Sequence, residues 1–216
     1  MQPYHLGRMP DRLTDLTLRE FADRLAAADP TPGGGSAAAY AGVMGAALAA
    51  MVARIALKRG ADPALSEIAD EAESLRAQLM ALVADDSAAF DRVSAALALP
   101  KRTPQEKGAR TEALQAALLT AARVPLDTAN AARRLLGLTE RLLEHATRGA
   151  VSDAGVAALL AESALRAAAL NVMINLSSLA DATHVKALSE ELDRAVDGAE
   201  ASRALVVERV EAKIAR

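Results

Sequence analysis

The sequence contains no cysteine. Disulfides, thiol nucleophiles and cysteine-rich zinc sites are therefore excluded. Tryptophan is absent too, and the aromatic share is 2%, which leaves little for stacking single-stranded nucleic acid. Positive charge is not in excess: 25 Lys and Arg stand against 28 Asp and Glu, for a net −3. A basic face for nucleic acid is not expected. The histidines His5, His145 and His184 are far apart and show no paired-ligand spacing, so no metal is expected. The stretch from Met1 to Arg8 has no basic patch followed by an apolar run, which points to a cytoplasmic protein. Sustained apolar–polar alternation and clusters of β-branched residues, the marks of strands, are missing as well.

What is present is alanine, the best helix former, within 216 residues that are 52% hydrophobic. That length is ample for a buried core. No linker or fixed-period repeat divides it. The expectation is all-α: a single domain over residues 1–216, with 1–15 loosely ordered, folded as an antiparallel bundle of roughly seven helices. The uncharged stretch from Ser36 to Ala53 is barely long enough to span hydrocarbon. Its Ala and Gly carry little transfer energy, so a buried central helix is expected and no membrane.

Helix punctuation is legible. Thr17-Leu18-Arg19-Glu20 and Thr103-Pro104-Gln105-Glu106 have capping-box spacing, in which hydroxyl and carboxylate satisfy backbone N–H groups reciprocally. Asp62-Pro63 and Asp181 mark two more starts, Ser36 is expected to cap the second helix, and Ser152 or Asp153 a later one. Pro100 and Gly149 are expected stops, and Pro125 is expected to interrupt or kink a long helix. Ala38, Gly42, Gly45 and Ala49 recur at helical spacing and allow close helix approach, within the chain or across a dimer contact.

Three features resist a purely structural reading. Leu75, Leu79, Leu82, Asp86, Phe90, Val93 and Leu97 follow one another at steps of three or four, so a carboxylate sits in the middle of an apolar stripe. Desolvation and the like charge of Asp85 should push its pKa up, toward the range useful for proton transfer. The competing reading is an ion pair with an arginine from another helix. Asn171 and Asn175 lie one turn apart in an apolar run. They need partners, either backbone or each other, or else a polar ligand. Gly33-Gly34-Gly35, before Ser36, allow close approach of backbone N–H groups to a ligand, although the loop matches no nucleotide motif. Lys101-Arg102 is either solvated surface or a pair that neutralises a ligand carboxylate. His145 is read as helix-dipole complementation, and His184 as a surface residue.

Taken in order, Pro32-Gly33-Gly34-Gly35-Ser36, Asp86 with Phe90, Leu99-Pro100-Lys101, Thr103-Pro104-Gln105-Glu106-Lys107, Val124-Pro125-Leu126, Ser152-Asp153 and Asn171-Val172-Met173-Ile174-Asn175-Leu176 form a recognisable series. The chain resembles the formiminotetrahydrofolate cyclodeaminase / methenyltetrahydrofolate cyclohydrolase family, including the C-terminal half of the bifunctional formiminotransferase-cyclodeaminase, from about Leu16 onward. The resemblance implies an all-helical homodimer that binds a reduced folate, with catalysis by Asp86. It implies substrate contacts from Gly33, Gly34, Gly35, Ser36, Lys101, Ser152, Asp153, Asn171 and Asn175. No cofactor beyond the tetrahydrofolate substrate and no metal is implied. The implied reaction closes 5-formiminotetrahydrofolate to 5,10-methenyltetrahydrofolate with loss of ammonia. Two alternatives remain: methenyltetrahydrofolate hydrolysis, and a non-catalytic helical dimerisation module in which an internal arginine satisfies Asp86.

Overall fold

Caps and prolines start the helices where their chemistry requires. The computed structural model describes residues 12–215. His5 and most of the N-terminal segment, 1–11, lie outside the described residues, and Leu13–Asp15 form one 3-10 turn. Seven α-helices follow among the described residues: α1 (Leu18–Leu25), α2 (Gly34–Leu57), α3 (Pro63–Ala98), α4 (Pro104–His145), α5 (Val151–Leu176), α6 (Ala182–Val196) and α7 (Ala199–Ile214). Both capping boxes form, with Glu20 and Glu106 closing back on Thr17 and Thr103. Asp62 and Asp181 accept from the N–H groups of Ala64 and Thr183.

The expected number of helices is found, but the chain is divided differently. Pro125 does not end its helix: α4 runs through it for 42 residues. The break falls instead in the last segment, at Asp197 and Gly198, where Gly198 takes φ +66°. That left-handed conformation costs glycine little. Ser36 is not a cap. Gly33 holds the N-cap position, and Ser36 lies inside the first turn of α2. Likewise Ala150 precedes α5, so Ser152 and Asp153 are already helical. Gly149 lies beyond the α4 end at His145, whose ring nitrogen sits 3.3 Å from Asp62. His184 is exposed, 3.1 Å from Asp181.

Helices α2 to α5 form the bundle, each antiparallel to the next, with α5 returning beside α2. α6 and α7 cover α4 and α5, while α1 docks through Phe21, 5.3 Å from the Tyr40 ring of α2. The core divides by side-chain size. Leu75, Leu79, Leu126, Leu135 and Leu142 fill it from α3 and α4, and α2 faces them with alanine and glycine. A Cβ on Gly42 would lie 3.0 Å from Leu79, and one on Gly45 3.1 Å from the Ala157 carbonyl oxygen. Close approach thus takes place within the chain, with Gly42 against α3 and Gly45 against α5. α2 and α5 are both long and apolar enough to cross a membrane, and in this fold each lies against other helices of the bundle.

Helix lengths set the position of the cleft. α3 has 36 residues and α2 has 24. Ser36 near the start of α2 meets Asp86, so the residues of α3 after Asp86 run about 15 Å beyond α2 at 1.5 Å per residue. The apolar stripe of α3 is therefore core only as far as Leu82. Past Asp86 it opens: Phe90 is 41% and Leu97 50% exposed.

Candidate active site

At the point where α3 leaves the core, four helices and one loop enclose a cleft of about 290 Å³. The loop supplies Pro30, Thr31 and Gly33, and the start of α2 supplies Gly34 and Gly35. Asp86, Ala89, Phe90 and Val93 come from α3, Ala121 from α4, and Asn171, Ile174 and Asn175 from α5. The volume lies at the small end of ligand pockets.

Asp86 is half-buried at the floor of this cleft. Its Oδ2 accepts from the Ser36 backbone N–H at 2.8 Å and from the Ser36 hydroxyl at 2.9 Å. The same hydroxyl lies 3.0 Å from the Val83 carbonyl oxygen and 3.3 Å from the Ser87 hydroxyl. The N–H groups of a first helical turn have no intrahelical partner and favour an anion. Here the anion at the helix start is the protein's own Asp86. Its Oδ1 has no hydrogen-bond partner among the described residues. No Lys, Arg or His among them pairs with it, so the described residues supply no arginine partner. Burial raises the Asp86 pKa above the usual carboxylate value, and the two Ser36 bonds only partly offset that rise. The like charge of Asp85 is not among the causes, since Asp85 lies on the exposed face of α3.

Glycine at position 35 makes this contact possible. A Cβ there would lie 2.0 Å from Asp86 Oδ1 and 2.5 Å from its carboxyl carbon. Even alanine would displace the carboxylate. Gly34 is less constrained, its Cβ position lying 3.4 Å from the Asn171 amide. Neither glycine has positive φ, so space for a neighbour, rather than a left-handed backbone, explains them.

The two asparagines are anchored through their nitrogens. Asn171 Nδ2 donates to the Ala167 carbonyl at 2.9 Å, and Asn175 Nδ2 to the Ala121 carbonyl of α4 at 2.7 Å. The backbone reading thus holds for the nitrogens, while both residues also line the cleft. Three other candidates are not brought here. Ser152 and Asp153 lie at the opposite end of α5, about 27 Å from Asn171 by helical rise. Lys101 is exposed beyond the end of α3 and does not line the cleft. Helix length is the reason in each case: positions on one helix stay apart by its rise. No Lys, Arg or His among the described residues lines the cleft. Among the described residues no three His, Asp or Glu side chains group as metal ligands.

Phe90 as a cleft wall, Ser36 as the partner of Asp86 and Gly35 as its clearance are roles that sequence spacing did not reveal. Ser36 and Asp86 are 50 positions apart, and only packing joins them.

Comparison with known proteins agrees with this geometry. A family model described as formiminotransferase-cyclodeaminase matches residues 17–194. A methenyltetrahydrofolate cyclohydrolase of Methylorubrum extorquens is 40% identical over 202 residues, covering 92% of this chain and 97% of that protein. A formimidoyltransferase-cyclodeaminase of Rattus norvegicus is 34% identical over 205 residues, and the match spans 38% of its length. The crystal structure of formiminotetrahydrofolate cyclodeaminase from Thermotoga maritima superposes with TM-score 0.77 at 33% identity, covering 93% of this chain and 96% of that one. Sequence and fold together place the chain in the formiminotransferase-cyclodeaminase family.

Proposed function

We propose that the chain closes 5-formiminotetrahydrofolate to 5,10-methenyltetrahydrofolate, with Asp86 moving the protons. The observation that carries this reading is a carboxyl group of raised pKa in a cleft that Asn171 and Asn175 also line, with one oxygen unpaired and no Lys, Arg or His on the cleft wall among the described residues. The N10 amine attacks the formimino carbon and a C–N bond forms. The N10 proton passes through Asp86 to the exocyclic nitrogen, which takes up one further proton and leaves as ammonia. The product is a cationic methenyl bridge. The ionised Asp86 carboxylate favours that cation, and proton transfer by a placed carboxyl is worth about 10²–10⁴-fold. Electrons are conserved throughout, so the proposed reaction requires no redox carrier.

A second reading, hydrolysis of the methenyl bridge, is supported by the 40% identity to a methenyltetrahydrofolate cyclohydrolase over nearly its whole length. Water then takes the place of ammonia, and Asp86 removes its proton. The distinctive absorbance of methenyltetrahydrofolate separates the two. Cyclodeamination makes it appear from 5-formiminotetrahydrofolate together with ammonia, and hydrolysis makes it vanish faster than in buffer. A protein that does neither and binds no reduced folate is the helical module instead.

The proposed assembly is a symmetric homodimer. α2 carries no charged residue from Gly34 to Ala53. Met44 and Met51 of α2 and Val156, Leu159 and Leu170 of the antiparallel α5 are exposed apolar side chains. Exposed apolar side chains on two neighbouring helices suit a second copy about a two-fold axis.

A further inference from the structure

Pro125 and Asn175 each break a local rule, one as a proline inside a helix and the other as an amide in an apolar run. In α4 the N–H of residue 125 would ordinarily bond the Ala121 carbonyl, and proline has none. That carbonyl is the one that accepts from Asn175 Nδ2 at 2.7 Å. A carbonyl only accepts, so the amide nitrogen must face it, and the orientation of the amide follows. Asn175 Oδ1 is left without a hydrogen-bond partner among the described residues. No side-chain oxygen among the described residues is both buried and unpartnered, and Asn175 lines the cleft.

We propose that Pro125 is a positioning residue for ligand recognition. By leaving the Ala121 carbonyl unbonded within α4, it holds the Asn175 amide with its oxygen toward the cleft, as a fixed acceptor for an N–H group of the ligand's heterocycle. This rests on the functional reading above, since a reduced pterin presents such N–H groups along its ring edge. Asn171, one turn earlier, is held in the same sense by the Ala167 carbonyl. A residue with an N–H at position 125 would compete for the carbonyl and weaken its hold on Asn175.

The test combines side-chain amide hydrogen exchange, thermal melting and titration with 5,10-methenyltetrahydrofolate for wild type, Pro125→Ala, Asn175→Leu and the double variant. Pro125→Ala is expected to melt no lower than wild type, because a mid-helix proline is removed. It is also expected to lose protection of the Asn175 amide and to bind about five- to tenfold more weakly, the worth of one hydrogen bond. The double variant is expected to bind no more weakly than Asn175→Leu alone, because the two residues act through one contact. Unchanged Asn175 exchange in Pro125→Ala overturns the clasp. An unchanged dissociation constant, effects that multiply in the double variant, or affinity falling together with melting temperature overturns the recognition role. Failure of the wild type to bind methenyltetrahydrofolate overturns the functional reading and the recognition role with it, whatever the exchange data show of the clasp.

Discussion

At Asp86, burial and hydrogen bonding pull the proton equilibrium in opposite directions, and burial prevails. Because the folded-state pKa is raised above that of the unfolded chain, this carboxyl contributes stability that is complete at low pH. That contribution is lost as pH rises through the raised value. Asp86→Asn keeps the volume and cannot ionise. It is expected to lose at least roughly 10²-fold in turnover and to melt higher than wild type at pH 7, the gap closing below the ordinary carboxylate range. Melting curves against pH, run beside turnover assays, check both halves, and near-wild-type turnover would falsify the role given to Asp86. Next to it, the glycines differ in what they tolerate. Gly35→Ala puts a methyl 2.0 Å from a carboxylate oxygen and is expected to cost about 1–3 kcal/mol as an overpacked contact, with loss of activity. Gly34→Ala is expected to be tolerated, whereas Gly34→Val is expected to weaken folate binding more than the fold. Titration and melting on the same three variants rank them, and equal behaviour of the two alanine variants would count against the clearance argument.

The elements themselves are held by ordinary helix chemistry and by one unusual interface. α2 lets its neighbours approach through Gly42 and Gly45, and the Cβ site of Gly45 lies 3.1 Å from a backbone oxygen of α5. A backbone oxygen cannot rotate away. Gly45→Val is therefore expected to destabilise by about 1–3 kcal/mol, the range for forced overpacking. Chemical denaturation measures it, and a variant as stable as wild type would show that α5 can slide. At the α4 start, Thr103→Ala removes the hydroxyl that accepts from Glu106 N at 3.2 Å. A loss of about 1 kcal/mol is expected there, with no effect on the cleft beyond the fold. α4 as a whole shows how a tertiary contact accommodates a local interruption signal. Pro125 lacks its N–H, yet tertiary contact with Asn175 satisfies the carbonyl it strands, and the helix continues.

For the whole molecule, the proposed homodimer gives a direct expectation. Light scattering at micromolar concentration should report twice the chain mass of 22.4 kDa. Met44→Glu with Leu159→Glu, both exposed on neighbouring helices, should return it to the chain mass without unfolding it. A wild-type monomer would remove the claim.

Residues 18 to 214 were legible as helices because caps, prolines and 3.6-residue periodicity act within a turn or two of the chain. Asp86 stood out for the same reason, as one carboxylate among six apolar residues on one stripe. What local signals cannot carry is the meeting of distant positions. The stripe beyond Asp86 became a cleft wall only because α3 is longer than α2. Ser36 turned from a cap into a partner of Asp86 only because α2 starts beside it. Ser152, Asp153 and Lys101 fell away from the cleft because a rigid helix keeps its ends apart. Sequence determined which segments are helical and which residue is chemically out of place. Tertiary structure decided what surrounds that residue, because contact between helices depends on their lengths and on the side-chain volumes between them.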